Sequence, residues 1–592
     1  MNLKAELEKR LSAALAACGA PDGSPAMVAQ AAQAGFGDYQ ANGVMPVAKA
    51  LKTNPRQLAE RVVAAVDLSD LAERVEVAGA GFINITLKEN WLADRLSSML
   101  TSDDLGADKP ANPQTVVVDY SGPNLAKEMH VGHLRSTIIG DALARVLKFL
   151  GHAVIRQNHV GDWGTQFGML IAYMEEVSRP SVTLGNVATS VPGLEFLVVS
   201  SQISDMEDFY RQAKQSYDAS EPFKNKAREY VVKLQSGDRR TQAIWSFILD
   251  QSLEHAKRVY KRLTVKLSSQ DIRGESAYND DLPNVIKALE EKGLLQESQG
   301  AQCVFLPQFA GKDGEPLPLI VQKSDEGYLY ATTDLAAIRY RVGTLKADRI
   351  LYVTDSRQSL HFQQVFAVAK EAGFAPAAVS LEHVAFGTMM GAGGRPFKTR
   401  EGDTVKLMAL LDEAEQRAFA MVSEKNPELP EEQRRDIARA VGIGAVKYAD
   451  LSQNRASDYV FSWDKMLSLD GNTAPYMQYA YARIRSIFRK GGLAGQESAG
   501  EIVLADPAER ALALKLAQFP EALAVVAADC LPNVLCAYLY DLAGKFMGFY
   551  ENCPVLQSEE PLRSSRLRLC ELTARTIRTG LDLLGIETIE QM

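Results

Sequence analysis

The chain has 592 residues, of which 46% are hydrophobic and 23% charged. That is the make-up of an ordinary soluble globular protein with room for about three or four domains. No uninterrupted apolar stretch approaches the roughly 18 residues that a membrane span needs, and a net charge of −9 gives no global basic footprint for nucleic acid, although a local basic face would suffice.

Residues 2–17 carry Glu6 and Glu8 among Lys4, Lys9 and Arg10. They read as an amphipathic helix, not as a secretory signal or a transit peptide. A second helix over 55–65 and a strand-like stretch over 74–87, around Phe82-Ile83-Asn84-Ile85, complete a small α+β domain over 1–108. The Asp-, Gly-, Pro- and Asn-rich segment 103–113 reads as its linker. Six scattered cysteines, with no Cys-x-x-Cys, point to reduced thiols in the cytoplasm and to no zinc site.

From residue 114 the pattern turns to strand–helix–strand, which predicts a parallel sheet. Residues 115–120 are β-branched and apolar, as a buried strand should be. Residues 134–150 place Ile139, Leu143, Val146, Leu147 and Leu150 at helical spacing. Between the two stands His130-Val131-Gly132-His133, at a helix start where free N–H groups and the dipole favour an anion. Imidazoles there can donate to phosphate oxygens as charge develops, and Gly132 leaves bare backbone for a flat ring such as adenine. With 7 His and 42 Gly in the chain, His-x-Gly-His arises by chance roughly 0.006 times, so a mere histidine pair capping a helix is the weaker reading.

A second strand is expected over 153–157, and a mostly helical, polar insertion over about 175–270. Sheet-like patterns resume at 302–306, 319–321, 328–332, 349–354 and 383–387. The last 120 residues are helical, with stripes Leu512, Leu516, Phe519, Leu523 and Leu535, Leu539, Leu542, Phe546, Phe549 that mark a helix bundle over 471–592. Its basic residues cluster as Arg483, Arg485, Arg489, Lys490 and as Arg563, Arg566, Arg568, Arg575, Arg578. On composition alone these are solvated helix faces.

The run Asp119-Tyr120-Ser121-Gly122-Pro123-Asn124-Leu125-Ala126-Lys127-Glu128-Met129-His130-Val131-Gly132-His133-Leu134-Arg135-Ser136-Thr137 resembles the first signature of class I aminoacyl-tRNA synthetases, and specifically that of the arginyl-tRNA synthetases. The resemblance continues through 158–168, 330–334, 352–366 and the terminal bundle. It implies an α/β fold: a Rossmann-like core over 109–470 with helical insertions, the small N-terminal α+β domain against the tRNA elbow, and an all-α anticodon-binding bundle.

The activity implied is arginine–tRNA ligation by an ATP-dependent ligase with Mg²⁺ accompanying ATP, acting as a monomer with tRNA(Arg), L-arginine and ATP as partners, no membrane and no zinc. His130, Gly132, His133 and Lys127 would hold ATP and its phosphates. The usual late lysine signature of the class is missing. Its place is the glycine-rich loop 390–402, whose Lys398 and Arg400 become candidates, with Lys127, for neutralising pyrophosphate. His361 falls in a matching motif and is assigned to ATP. A guanidinium substrate needs carboxylates, because burying it unpaired is costly. Asp119, Tyr330, Asp334 and Gln358 match the acids and their neighbours, Ser121 and Asn124 would hold the amino and carboxylate groups, and His159 joins them. Tyr476, Tyr479 and Tyr481 are candidates for stacking on anticodon bases. Two other readings are weighed: a class I ligase for cysteine or glutamate, against which stand the scattered cysteines and the paired acids, and a non-catalytic RNA-binding relative, against which stands the intact signature.

Overall fold

The computed structural model describes residues 1–177, 206–311, 314–324, 326–391, 393–394, 405–493 and 499–591. The N-terminal domain folds a sheet of order β1-β2-β4-β3 from β1 (Val28–Gln30), β2 (Tyr39–Ala41), β3 (Ala72–Ala78) and β4 (Phe82–Leu87). All its pairings are antiparallel. The expected strand over 74–87 is a hairpin, because the turn at Gly79 and Gly81, both at positive φ, reverses the chain. Asn54 caps the helix Pro55–Ala65 through its side chain, with proline at the first turn.

The core sheet is fully parallel. It runs β11-β10-β5-β6, from β5 (Thr115–Asp119), β6 (Ala153–Gln157), β10 (Arg349–Tyr352) and β11 (Ser380–His383). Val116, Val117 and Val118 at the centre are fully buried, as a strand covered on both faces requires. A three-stranded antiparallel meander, β7 (Leu295–Ser298), β8 (Ala301–Val304) and β9 (Leu319–Gln322), precedes the helix Tyr330–Gly343.

Two expectations shift. Residues 328–332 were read as sheet-like, but the helix begins at Tyr330, because Tyr330-Ala331-Thr332-Thr333 is a helix start whose β-branched content mimics a strand. The last core strand, Ser380–His383, begins before the expected 383–387, whose Val384 and Phe386 continue the parallel ladder with bonds to Tyr352 and Thr354 and a bridge to Asp355. In the insertion the helices Met206–Ala219, Glu221–Gln235 and Arg239–Arg262 are present.

The C-terminal bundle comprises Ala474–Lys490, Pro507–Ala517, Phe519–Asp529, Pro532–Asn552 and Leu562–Leu583. Every residue of both apolar stripes is buried. The stretch Pro507–Asp529 is apolar and long enough to pass as a membrane span. It is broken at Gln518 into two helices and lies mostly inside the bundle. The N-terminal domain is latched to this bundle: Arg510 forks onto Asp38 with two 2.8 Å bonds, and Arg575 donates to the carbonyls of Leu100 and Ser102.

Candidate active site

The C-terminal ends of parallel strands are where open α/β sheets bind ligands, and every described candidate residue of the core lies on the segments that leave β5, β6 and β10 or on the helix after β9. β5 ends at Asp119, and the chain then turns sharply. Ser121 adopts φ 72°, a left-handed conformation that costs a non-glycine residue about 1 kcal/mol or more. The surroundings hold it there: its N–H donates to Ser136 Oγ (2.9 Å), and its Oγ lies 2.8 Å from Tyr260 Oη and 3.0 Å from Thr137 Oγ1. Asn158, beyond β6, bonds both the Gly122 N–H and Tyr260 Oη at 2.9 Å. Asn124 bridges to Gly161, and its Oδ1 accepts from the Ala126 N–H.

The signature loop makes a 3₁₀ turn, Val131–His133, before the helix Leu134–Phe149. Its two histidines cap each other's backbone. His130 Nδ1 accepts from the Gly132 N–H and His133 Nδ1 accepts from the His130 N–H, both at 3.1 Å. A ring nitrogen that accepts carries no proton, so each ring holds its proton on Nε2. The rings lie 4.1 Å apart and together present two Nε2–H donors. Burial and the charge of Lys127 lower the His130 pKa, and burial with His130 beside it takes His133 down to about 3. Both therefore act as neutral donors. Gly132 is required by its neighbour: a Cβ there would sit 2.7 Å from His130 Cε1. Lys127 is exposed, with its ammonium 4.9 Å over the Tyr210 ring of the insertion. Thr137 links the turn to Ser121, since Oγ1 also donates to the His133 carbonyl at 2.7 Å.

Lys398 and Arg400 lie outside the described residues. The chain that follows them is anchored to the signature: Val131 donates to the Val405 carbonyl and Leu407 to that of Met129, while Lys406 pairs with Glu128 at 3.3 Å.

The acidic group gathers around the end of β5. Asp119 Oδ2 receives Arg341 at 2.7 Å, and Arg341 also donates to Gln157 at 2.6 Å. Asp334 Oδ2 lies 2.6 Å from His361 Nε2, so His361, assigned from sequence to ATP, has that nitrogen engaged with the acid of the Tyr-x-x-x-Asp segment. His159 stacks 5.6 Å from Tyr278, and its Nδ1 is buried without a hydrogen-bond partner. Burial lowers the His159 pKa against the opposing fields of Asp119, Asp334 and Asp162, which places these groups in one neighbourhood. Tyr330 is 68% exposed at the mouth, and Gln358 is exposed on the 3₁₀ turn Ser356–Gln358.

Three participants were not found from sequence. Glu275, whose N–H donates to Val160, has its carboxyl pushed up to about 8 by burial, with Asp162 and Asp334 adding. Tyr260 and Arg341 are single residues inside long helices, and nothing local marks them. Glu275 had one available signal, the Gly274-Glu275-Ser276 turn: Ser276 donates twice to Asp162, just beyond His159.

In the bundle, much of the basic surface is committed to the chain itself. Arg566 is buried on Glu509 at 2.6 Å, Arg485 pairs with Glu590, and Tyr481 is buried against the same carboxylate. Tyr479 and Tyr540 remain exposed, Tyr476 packs 5.8 Å from Tyr540, and Arg483 lies 4.8 Å over Tyr550.

A parallel sheet with a His-x-Gly-His turn after its first strand and a helical bundle at its end is the build of class I aminoacyl-tRNA synthetases. The family model for the catalytic domain of class I tRNA synthetases of the arginine type matches residues 95–463, with the arginyl-tRNA synthetase N-terminal domain over 5–87 and the DALR anticodon-binding domain over 477–592. Curated arginine–tRNA ligases of Hahella chejuensis and Cellvibrio japonicus are 58% and 57% identical over the full length of both chains. The arginyl-tRNA synthetase structure from Thermus thermophilus superposes over all of both chains with a TM-score of 0.83 at 28% identity, and that from Plasmodium falciparum over 100% and 99% with 0.82 at 30%. The chain belongs to the arginyl-tRNA synthetase family.

Proposed function

We infer that this protein is an arginine–tRNA ligase that uses ATP. In the first step the arginine carboxylate attacks the α-phosphorus of ATP, forming arginyl-adenylate and releasing pyrophosphate. In the second, the terminal ribose hydroxyl of tRNA(Arg) takes the arginyl group and AMP leaves. The observation that carries the reading is the meeting, at one end of the sheet, of a neutral pair of Nε2–H donors with an acidic pocket. The donors, His130 and His133, suit oxygens on which charge grows in the transition state, where fixed hydrogen bonds act most strongly. The pocket, with Asp119, Asp334 and Glu275, suits a guanidinium that must not be desolvated alone.

Ser121 and Asn124 would orient the substrate's amino and carboxylate groups, with Tyr330, Gln358 and His159 around its side chain. Gly132 and Lys127 would attend the nucleotide, joined by Lys398 and Arg400 from the loop that replaces the late lysine signature. Among the described residues no group of three or more His, Cys, Asp and Glu side chains is arranged to hold a metal ion, and Mg²⁺ is assigned to the triphosphate it arrives with. The exposed Tyr479 beside Arg483, and Tyr476 packed on the exposed Tyr540, suit stacking on unpaired anticodon bases. Six free cysteines, five of them buried, fit a reducing cytoplasm. A monomer without membrane attachment is the simplest working form, since one chain supplies every residue named.

The test is a charging assay with ATP, Mg²⁺ and tRNA across the twenty amino acids. Arginine alone should appear as the acid-stable, base-labile ester on tRNA. Equal charging with lysine, or no charging, overturns the assignment.

A further inference from the structure

Asp334 and His361 stand within the first two turns of two helices, Tyr330–Gly343 and Ser359–Glu371. Their contact is short, 2.6 Å from Nε2 to Oδ2, and the side chains are 31% and 16% exposed, so water screens it weakly. Asp334 does not cap its helix: the capping position is Leu329, five residues earlier. Among the described residues no lysine or arginine pairs with it; its partner is an imidazole. An ionised carboxylate only accepts, so His361 must donate through Nε2–H. That bond commits one oxygen of Asp334 and fixes the plane of the carboxylate, leaving the other oxygen to meet a guanidinium N–H.

The support behind His361 is continuous with the other acid. Its ring meets Phe362 edge-on at 5.3 Å, Phe362 packs 5.0 Å from Tyr352, and Tyr352 lies 5.0 Å from the Arg341 guanidinium that holds Asp119. One packed row thus underlies both acids, and His361 closes it on the Asp334 side.

We propose that His361 is a positioning residue for arginine recognition, holding Asp334 in the orientation that receives the substrate guanidinium, and that it does not serve ATP. The proposal rests on the reading of this pocket as the arginine site.

It is tested by steady-state charging of tRNA(Arg) with His361→Leu, which removes the donor, and His361→Gln, which keeps an N–H near the same place. The leucine variant should raise the KM for arginine about tenfold, the order expected when a charge-assisted hydrogen bond is lost, with the KM for ATP within about twofold. The glutamine variant should recover most of the loss. If the leucine variant does not fold, as judged by its Tm and circular dichroism, His361→Phe fills the same volume without a donor and takes its place. A rise in the KM for ATP alone, an equal rise for both substrates, or leucine and glutamine behaving alike overturns the proposal. Wild-type protein that fails to charge arginine overturns the function itself. Wild-type protein that charges arginine, with variants whose arginine KM does not move, overturns only the role of His361.

Discussion

Arg341 places its guanidinium 2.7 Å from Asp119, so the acid at the end of β5 already holds a guanidinium of its own chain. Arg341 is 1% exposed and also donates to Gln157. In the proposed arginine site the substrate would meet an Asp119 with one oxygen engaged and its orientation fixed, with Asp334 and Glu275 as the remaining acceptors. Breaking a buried pair from one side leaves an uncompensated charge, which typically costs about 3–5 kcal/mol. Arg341→Met should destabilise the protein by that order in denaturant unfolding, and Asp119→Asn combined with it should cost less than the sum of the two single changes. Additive losses would mean that the pair is not coupled.

The pH dependence of substrate binding should report Glu275. Its carboxyl titrates at about 8, raised by burial and by Asp162 and Asp334. Below that pH the free pocket holds the proton, and an arriving guanidinium favours the ionised form, so binding expels it. The KM for arginine should fall as pH rises from about 6.5 to 8.5, by up to about tenfold per unit in the steep region for one released proton, and level off above. Glu275→Gln should raise the KM at pH 8.5 and flatten the slope. A slope that persists unchanged in this variant assigns the proton elsewhere.

What was legible in the sequence follows from how local each feature is. β5 showed itself through its β-branched apolar run, the helix Leu134–Phe149 through side-chain periodicity, and the His-x-Gly-His turn through its rarity in this composition. The short strands Val28–Gln30 and Tyr39–Ala41 carry too few residues to show a period, and they exist because β4 offers them an edge. Within the site, residues in runs were found, whereas Arg341, Tyr260 and Glu275 owe their places to partners far along the chain, Asp119, Ser121 and Asp162. The same holds in the bundle. Arg566 and Tyr481 look like surface groups in sequence, and only Glu509 and Glu590, brought in by folding, make them internal.

Gly132→Ala should damage chemistry more than arginine binding. The added Cβ would fall 2.7 Å from His130 Cε1 and 2.9 Å from Nδ1, pushing the ring off the N–H that fixes its tautomer. Loss of one preorganised donor to a developing oxyanion costs about 10²-fold in kcat. A drop of that order, with the arginine KM within about threefold, is expected in the charging assay. Because His133 titrates near 3, the wild-type pH–rate profile should carry no inflection from it between pH 6 and 7. A kcat unchanged in the alanine variant would remove His130 from the transition state.

Lys447 joins three parts of the chain. From the helix Glu431–Leu451 its Nζ donates at 2.6 Å to the carbonyl of Leu263, at the end of the insertion, and to that of Gly585, beyond the last bundle helix. Complete burial pulls its pKa down to about 7. In the unfolded chain a lysine titrates near 10.4, so between about pH 7 and 10 the unfolded state binds more protons. This group's contribution to stability therefore grows as pH rises through that window, is lost as pH falls from about 10 to 7, and changes no further below 7. Lys447→Met removes the titration. The Tm of the wild type minus that of the methionine variant should therefore increase steadily from pH 7 to 9.5, with every other titrating group cancelling in the difference. A difference independent of pH would show that Lys447 stays charged when folded and stabilises the junction through its hydrogen bonds alone.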